Sequence, residues 1–232
     1  MVVLGTFYSF SYAVAVNSVS YLSIPESLGD VVPSVQAPVG HILKSLNTLK
    51  VTEVVEEPKN DTPKTVSVFD VPFFSQFEDI SAVKWQKIGC GIASLAMLVE
   101  YYEPGEVSVD TLLNEGIASG AYLKDAGWIH RDLALLADDH GLEGMNYDLS
   151  SANMDTAFAQ FETAVEEGPV IASVHYTFDP QNPIPHLVVI SGIDGDVVYY
   201  NDPAGKSEGG NLSVGAFKRA WKKRYIEVRP II

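Results

Sequence analysis

The chain's one cysteine, Cys90, stands between Gly89 and Gly91, where an apolar helical run begins. The thiolate is the reactive form of cysteine, and the free N–H groups and dipole of a helix N-terminus favour negative charge there. Flanking glycines would let a substrate backbone come close. A lone cysteine is commonly a small buried hydrophobe, so a nucleophile's role demands a base. Among the five histidines, His186 follows the rigid Pro183-Ile184-Pro185 and opens the apolar run Leu187-Val188-Val189-Ile190. That pattern puts it at the mouth of a buried strand. The next strand-like run ends in Asn201-Asp202-Pro203. Thiol, imidazole and carboxylate are the set that performs nucleophilic acyl chemistry: His186 takes and returns the Cys90 proton, and Asp202 fixes the imidazole tautomer and orientation.

Whether Asp202 reaches His186 depends on the hairpin between their strands. If Ile193-Asp194-Gly195 is a three-residue loop, Gly192 pairs with Asp196 and His186 faces Asp202, with Cβ atoms about 5 Å apart. If Asp194-Gly195 is a two-residue turn, Asp202 pairs with Leu187 and points to the other face. A catalytic site therefore requires the three-residue loop or a compensating bulge.

The elements that must hold these residues read as follows. Val66 to Phe74 is strand-like. Gly89 to Tyr102 is helical, with Ile92, Leu95, Ala96 and Val99 on one face. Ser108 caps a helix through about Ala118. Trp128 to His140 reads as a helix stopped by Gly141, and Met154 to Glu167 as another stopped by Gly168-Pro169. Strands follow at Val170 to His175, Leu187 to Ile193 and Val197 to Tyr200. Helices first and an antiparallel sheet after is an α+β order.

Of the 232 residues, 47% are apolar and 19% charged, which supplies a core and excludes whole-chain disorder. Thirty acidic residues against fifteen basic ones give a charge of −15. This argues against nucleic-acid binding and against attraction to anionic membrane surfaces. One cysteine excludes an intrachain disulfide and a Cys-rich zinc knuckle. Residues 1–24 carry no charged side chain and read as a signal peptide or membrane anchor, although the first cation is Lys44. Residues 25–65 are Pro-rich and read as a linker or pro-segment, with a helical island at Ile42, Leu43, Leu46 and Leu49. Residues 66–232 form the main domain. This organisation implies a monomer that is secreted or held at the cell surface, touching a membrane only through its N-terminus. The basic cluster Lys218, Arg219, Lys222, Lys223 and Arg224 suits the end of a helix. From Val66 to Phe217, twenty-three acidic side chains face five basic ones, so the cleft is expected to prefer basic or neutral peptides.

Four separated blocks occur in order: Val71-Pro72-Phe73-Phe74-Ser75-Gln76, Gly89 to Leu98 with Tyr101-Tyr102, His186 to Gly192, and Tyr200-Asn201-Asp202-Pro203. Together they resemble the papain-like peptidases related to bacteriocin-processing enzymes, in particular the stand-alone branch of peptidase family C thirty-nine and its like domains. The resemblance spans roughly Val66 to Arg229. It implies a papain-like α+β fold, Cys90 as nucleophile, His186 as base, Asp202 as orienter, and an upstream glutamine that helps bind the oxyanion. Gln76 matches that glutamine's block, while Gln86 is a more local alternative. The second oxyanion donor would be the Cys90 backbone N–H. The substrate implied is a peptide or protein, with no cofactor and no metal. Transporter-fused relatives cut after a double glycine, but this chain has no phosphate-binding Gly-x-x-x-x-Gly-Lys-Ser/Thr loop. Two rival readings stand beside the peptidase: an amidase or acyltransferase on the same fold, and a non-catalytic surface binding module.

Overall fold

The structure is a computed structural model that describes residues 68–105, 107–124 and 127–231. The expected 1–24 leader, the 25–65 linker and the Ile42–Leu49 island lie outside the described residues.

Helix α1, Val83–Gln86, is a single turn. Helix α2, Cys90–Tyr102, carries the nucleophile candidate as its first residue, and Gly91 to Val99 are all buried. A helix apolar on every side belongs inside. Helix α3, Val109–Ala118, starts as expected: the Ser108 hydroxyl accepts the Thr111 N–H at 3.1 Å. The region expected as one helix from Trp128 to His140 is instead broken. Gly127–Trp128 (β2) pairs with Tyr122–Leu123 (β1), α4 covers only His130–Leu135, and a 3-10 turn at Asp138–His140 ends at left-handed Gly141. Trp128 is held out of the helix by its own indole, which donates to the Ile88 carbonyl at 2.7 Å. Strand β3, Leu142–Asp148, follows. Helix α5, Met154–Glu167, is capped by Asn153 and stops at Gly168.

The remaining elements are β4 (Val170–His175), β5 (Pro185–Asp194), β6 (Val197–Asn201), β7 (Gly210–Ser213), α6 (Val214–Ala220) and β8 (Trp221–Pro230). They complete a six-stranded antiparallel sheet in the order β3-β8-β4-β5-β6-β7. Both faces are covered. Ile171, Leu187, Val189, Ile226 and Val228 share a core with α2, α3 and α4. Ala172, Val174, Val188, Ile190, Trp221 and Tyr225 share another with α5 and Phe217 of α6. Burial on alternate faces explains why β5 reads as an unbroken apolar run rather than an alternating one. The fold is α+β and papain-like, as the sequence implies.

The run Val66 to Phe74 was expected as a strand, and its described residues, 68–74, are not in the sheet. Single bonds stitch them to it: Phe69 N–H donates to the Ser191 carbonyl (2.7 Å), the Asn201 amide donates to the Val71 carbonyl (2.9 Å), and Gln76 N–H donates to the Pro203 carbonyl (2.8 Å).

Candidate active site

Cys90 is half-buried at the start of α2. No side chain caps that helix end, which leaves its first N–H groups available to an anion. A Cβ on Gly89 would collide with the Ile80 side chain and lie 3.5 Å from the Gln76 Cβ. Glycine there lets the Gln76–Ile80 segment press against the helix start.

The hairpin joining β5 and β6 is neither of the two expected turns. Asp194 pairs with Val197, so the connection is Gly195-Asp196, with Gly195 at φ +56°. The register then shifts between Ile190 and Gly192, leaving Ser191 as a bulge. The expected direct pairing of His186 with Asp202 is therefore corrected, and a bulge restores their meeting. The last ladder pair is Val189 with Asn201. One step further, Asp202 falls opposite Val188, diagonal to His186 and on its side of the sheet. The two side chains close the gap: His186 Nε2 lies 2.6 Å from Asp202 Oδ1.

His186 is 3% exposed. Burial is the largest influence on its imidazole and pushes the pKa down, but hydrogen bonds to Asp202 and Cys90, with the charges of both, outweigh it and carry the pKa from 6.5 up to about 9. With Nε2 on Asp202, Nδ1 is the nitrogen left for the thiol. Asp202 is itself held by the Ala204 N–H at 2.8 Å. The structure thus brings Cys90, His186 and Asp202 together.

Gln76 joins them. It is 3% exposed, and its amide Nε2 donates to the Gln86 carbonyl at 2.8 Å. Its Oε1 has no hydrogen-bond partner among the described residues. Gln86, the alternative, spends its side-chain amide on the Ile80 carbonyl at 2.9 Å. Two contributors have no signal in the sequence. Tyr176 stands edge-on to the His186 ring, with centroids 5.1 Å apart at 87°. Asn201 ties the Val71 carbonyl to the Gly209 N–H, so it joins the segment before Gln76 to the loop after Asp202.

A thiol at a helix start, set against an imidazole and carboxylate on an antiparallel sheet, is the arrangement of the papain-like thiol hydrolases. The profile of the Peptidase_C39 like family matches residues 68–229. Two solved structures share the fold. A C39-like peptidase from Bacillus anthracis is 20% identical, with a TM-score of 0.54 over 72% of this chain and 98% of that one. A double glycine motif protease from an AMS/PCAT transporter, in complex with the leader peptide, is 24% identical, with a TM-score of 0.50 over 71% and 95%. A search among curated proteins returns no match. With more than half of its length matched, the chain belongs to the Peptidase_C39 like family of cysteine peptidases. Among the described residues no helix is long and apolar enough to cross a membrane.

Proposed function

We propose that the protein is a cysteine peptidase that cleaves peptide bonds through an acyl-enzyme on Cys90. The observation that carries this reading is the 2.6 Å contact between His186 and Asp202 beside the thiol that begins α2. His186, whose pKa stands at about 9, already holds on Nδ1 the proton taken from the thiol as the Cys90 sulfur attacks the scissile carbonyl carbon. The tetrahedral oxyanion is met by the Cys90 backbone N–H and by the N–H of the Gln76 amide that the Gln86 carbonyl does not use. The carbon–nitrogen bond breaks, and the leaving amine takes its proton from His186. Water then gives a proton to His186 and adds to the thioester, and collapse releases the acid and the thiol. Asp202 holds the imidazolium through its 2.6 Å contact. The uncharged stretch 1–24 supports an exported or surface-anchored setting.

The test is a digest of a peptide library together with labelling by a thiol-reactive epoxide and mass-spectrometric mapping of the adduct. The wild-type protein cleaves peptides and carries the adduct on Cys90. Cys90→Ala loses both while its circular dichroism spectrum is unchanged. A wild-type protein that cleaves none of the library refutes the reading, and an amine-acceptor assay on the same protein then scores acyl transfer.

A further inference from the structure

Gln76 reaches the nucleophile from a segment that belongs to no strand, so something other than a ladder must hold it. Among the described residues, three hydrogen bonds join residues 68–76 to the sheet and the loop that follows β6. Phe69 N–H donates to the Ser191 carbonyl, the Asn201 amide to the Val71 carbonyl, and Gln76 N–H to the Pro203 carbonyl. Two of these run from backbone to backbone. Only the middle one is made by a side chain, and so depends on which residue stands there.

Asn201 makes that bond from a fixed place. It ends β6, pairs with Val189 and is 5% exposed. Its Nδ2 donates to the Val71 carbonyl at 2.9 Å, and its Oδ1 accepts the Gly209 N–H at 2.8 Å. A flipped amide would set donor against donor and acceptor against acceptor, so one orientation alone satisfies both partners. Asn201 and Pro203 flank Asp202, and the stretch 71–76 is thereby pinned at both ends to the neighbours of the carboxylate that meets His186. The Val71 side chain packs into the core. An open cavity of about 240 Å³, lined by Phe69, Val71, Ser191, Tyr199 and Asn201, nevertheless adjoins the segment, so the chain has room to shift once the bond is gone. Asp202 has supports of its own: the Ala204 N–H on its carboxylate and the Gly205 N–H on its carbonyl, both at 2.8 Å.

We propose that Asn201 is a positioning residue for the oxyanion site: through the Val71 carbonyl it sets where the Gln76 amide stands, without itself touching the reacting atoms. This rests on the peptidase reading above and adds the residue that aligns the oxyanion donor with the triad. Because Asp202 is held independently, the loss of the Asn201 amide falls on Gln76 and spares the thiol–imidazole pair. A misplacement of about 1 Å at a catalytic group costs on the order of 10²-fold in rate.

The test is a double-mutant cycle in the full-length protein, with Asn201→Ala, Gln76→Ala and the two combined, read by steady-state cleavage of a peptide that the wild type cuts. Asn201→Ala lowers kcat about 10²-fold with little change in KM. The combined variant is no slower than Gln76→Ala alone, because an amide already removed cannot be displaced. Alkylation of Cys90 by iodoacetamide, which builds no oxyanion, keeps its wild-type rate and pH profile in Asn201→Ala. A merely structural role would instead lower Tm and multiply with Gln76→Ala. Multiplying effects, an unchanged kcat, or slowed alkylation overturn the proposal. Asn201→Asp keeps the acceptor for the Gly209 N–H and loses the donor to Val71, so its kcat is carried through the same cycle should Asn201→Ala fail to fold. Loss of the fold in both variants makes Asn201 structural and overturns the proposal too. If the wild-type protein is alkylated at Cys90 but cleaves no peptide, the peptidase reading falls alone. The positioning is then read from the Gln76 side-chain amide signals by NMR: signals displaced in Asn201→Ala uphold it, and unmoved signals overturn it.

Discussion

Replacing Asp202 with asparagine keeps the shape at His186 and removes the charge that holds its proton. In the wild-type protein the imidazole pKa stands at about 9 against 6.5 for a free histidine: burial lowers it, and the Asp202 and Cys90 interactions more than reverse that. The difference corresponds to roughly 3 kcal/mol of preference for imidazolium in the folded state. At 3% exposure the ring is shielded from solvent screening. A folded-state pKa above the unfolded value makes the contribution complete below pH 6.5 and removes it as pH rises through about 9. For a domain of this size the loss lowers Tm by roughly 6–12 °C between pH 6 and pH 10. Asp202→Asn leaves burial opposed only by Cys90. Its melting curve is therefore lower than wild type at pH 6 and converges with it at pH 10. The wild-type-minus-mutant difference isolates the carboxylate. The assay is thermal melting at half-unit pH steps, with an NMR titration of the His186 ring. If Asp202→Asn shows the same fall in Tm as wild type, or its imidazole still titrates near 9, the carboxylate is not what holds the proton.

Three further outcomes are expected. Gln76→Ala lowers kcat by about 10²–10³ with a small change in KM, as loss of an oxyanion donor does, whereas Gln86→Ala mainly costs stability, about 1 kcal/mol for the lost bond to the Ile80 carbonyl; steady-state kinetics and melts of both separate the roles. Tyr176→Ala lowers kcat by up to about tenfold, the worth of one edge-on aromatic contact, and Tyr176→Phe restores it, because the ring and not the hydroxyl meets His186; equal losses in both variants would contradict this. Gly91→Ala lowers Tm despite the helix-propensity gain of about 1 kcal/mol, because the new methyl meets the Trp128 ring at 2.9 Å and Leu133 at 3.0 Å. Trp128 is pinned by its indole bond to Ile88 and cannot yield, so overpacking of about 1–3 kcal/mol prevails.

Elements with local signals were legible in the sequence. The Ser108 cap and the Gly168 stop mark α3 and α5, and β4 has the bounds its apolar run suggests. The elements with no expectation set against them are those whose patterns are broken for a structural reason. In β8 the basic residues interrupt the alternation because Lys223 turns left-handed and adds residues to the strand where it pairs with β4. Strand β3 lies at the sheet edge, and of its side chains only Leu142 is fully buried, so little of it is apolar. The expected helix at Trp128 failed because one hydrogen bond, to a carbonyl forty residues earlier, decides that side chain's place. Such a bond has no local trace.

The site itself was legible as a set of residues but not as a geometry, and parity shows why. Counted from Asp194 paired with Val197, an unbroken ladder would bring Asp202 opposite Val189, an odd number of residues from His186 and so on the other side of the sheet. One extra residue reverses the parity, and Ser191 is that residue. No turn rule places a bulge four residues from a hairpin. A bulge also takes a residue out of the ladder, and the Ser191 carbonyl is instead used by the Phe69 N–H at 2.7 Å. That bond is the first stitch of the segment that ends at Gln76. A single unpaired serine therefore turns the carboxylate toward the base and anchors the chain that delivers the amide to the nucleophile. The triad and Gln76 are consequently not independent acquisitions of this fold: both depend on where β5 breaks step with β6.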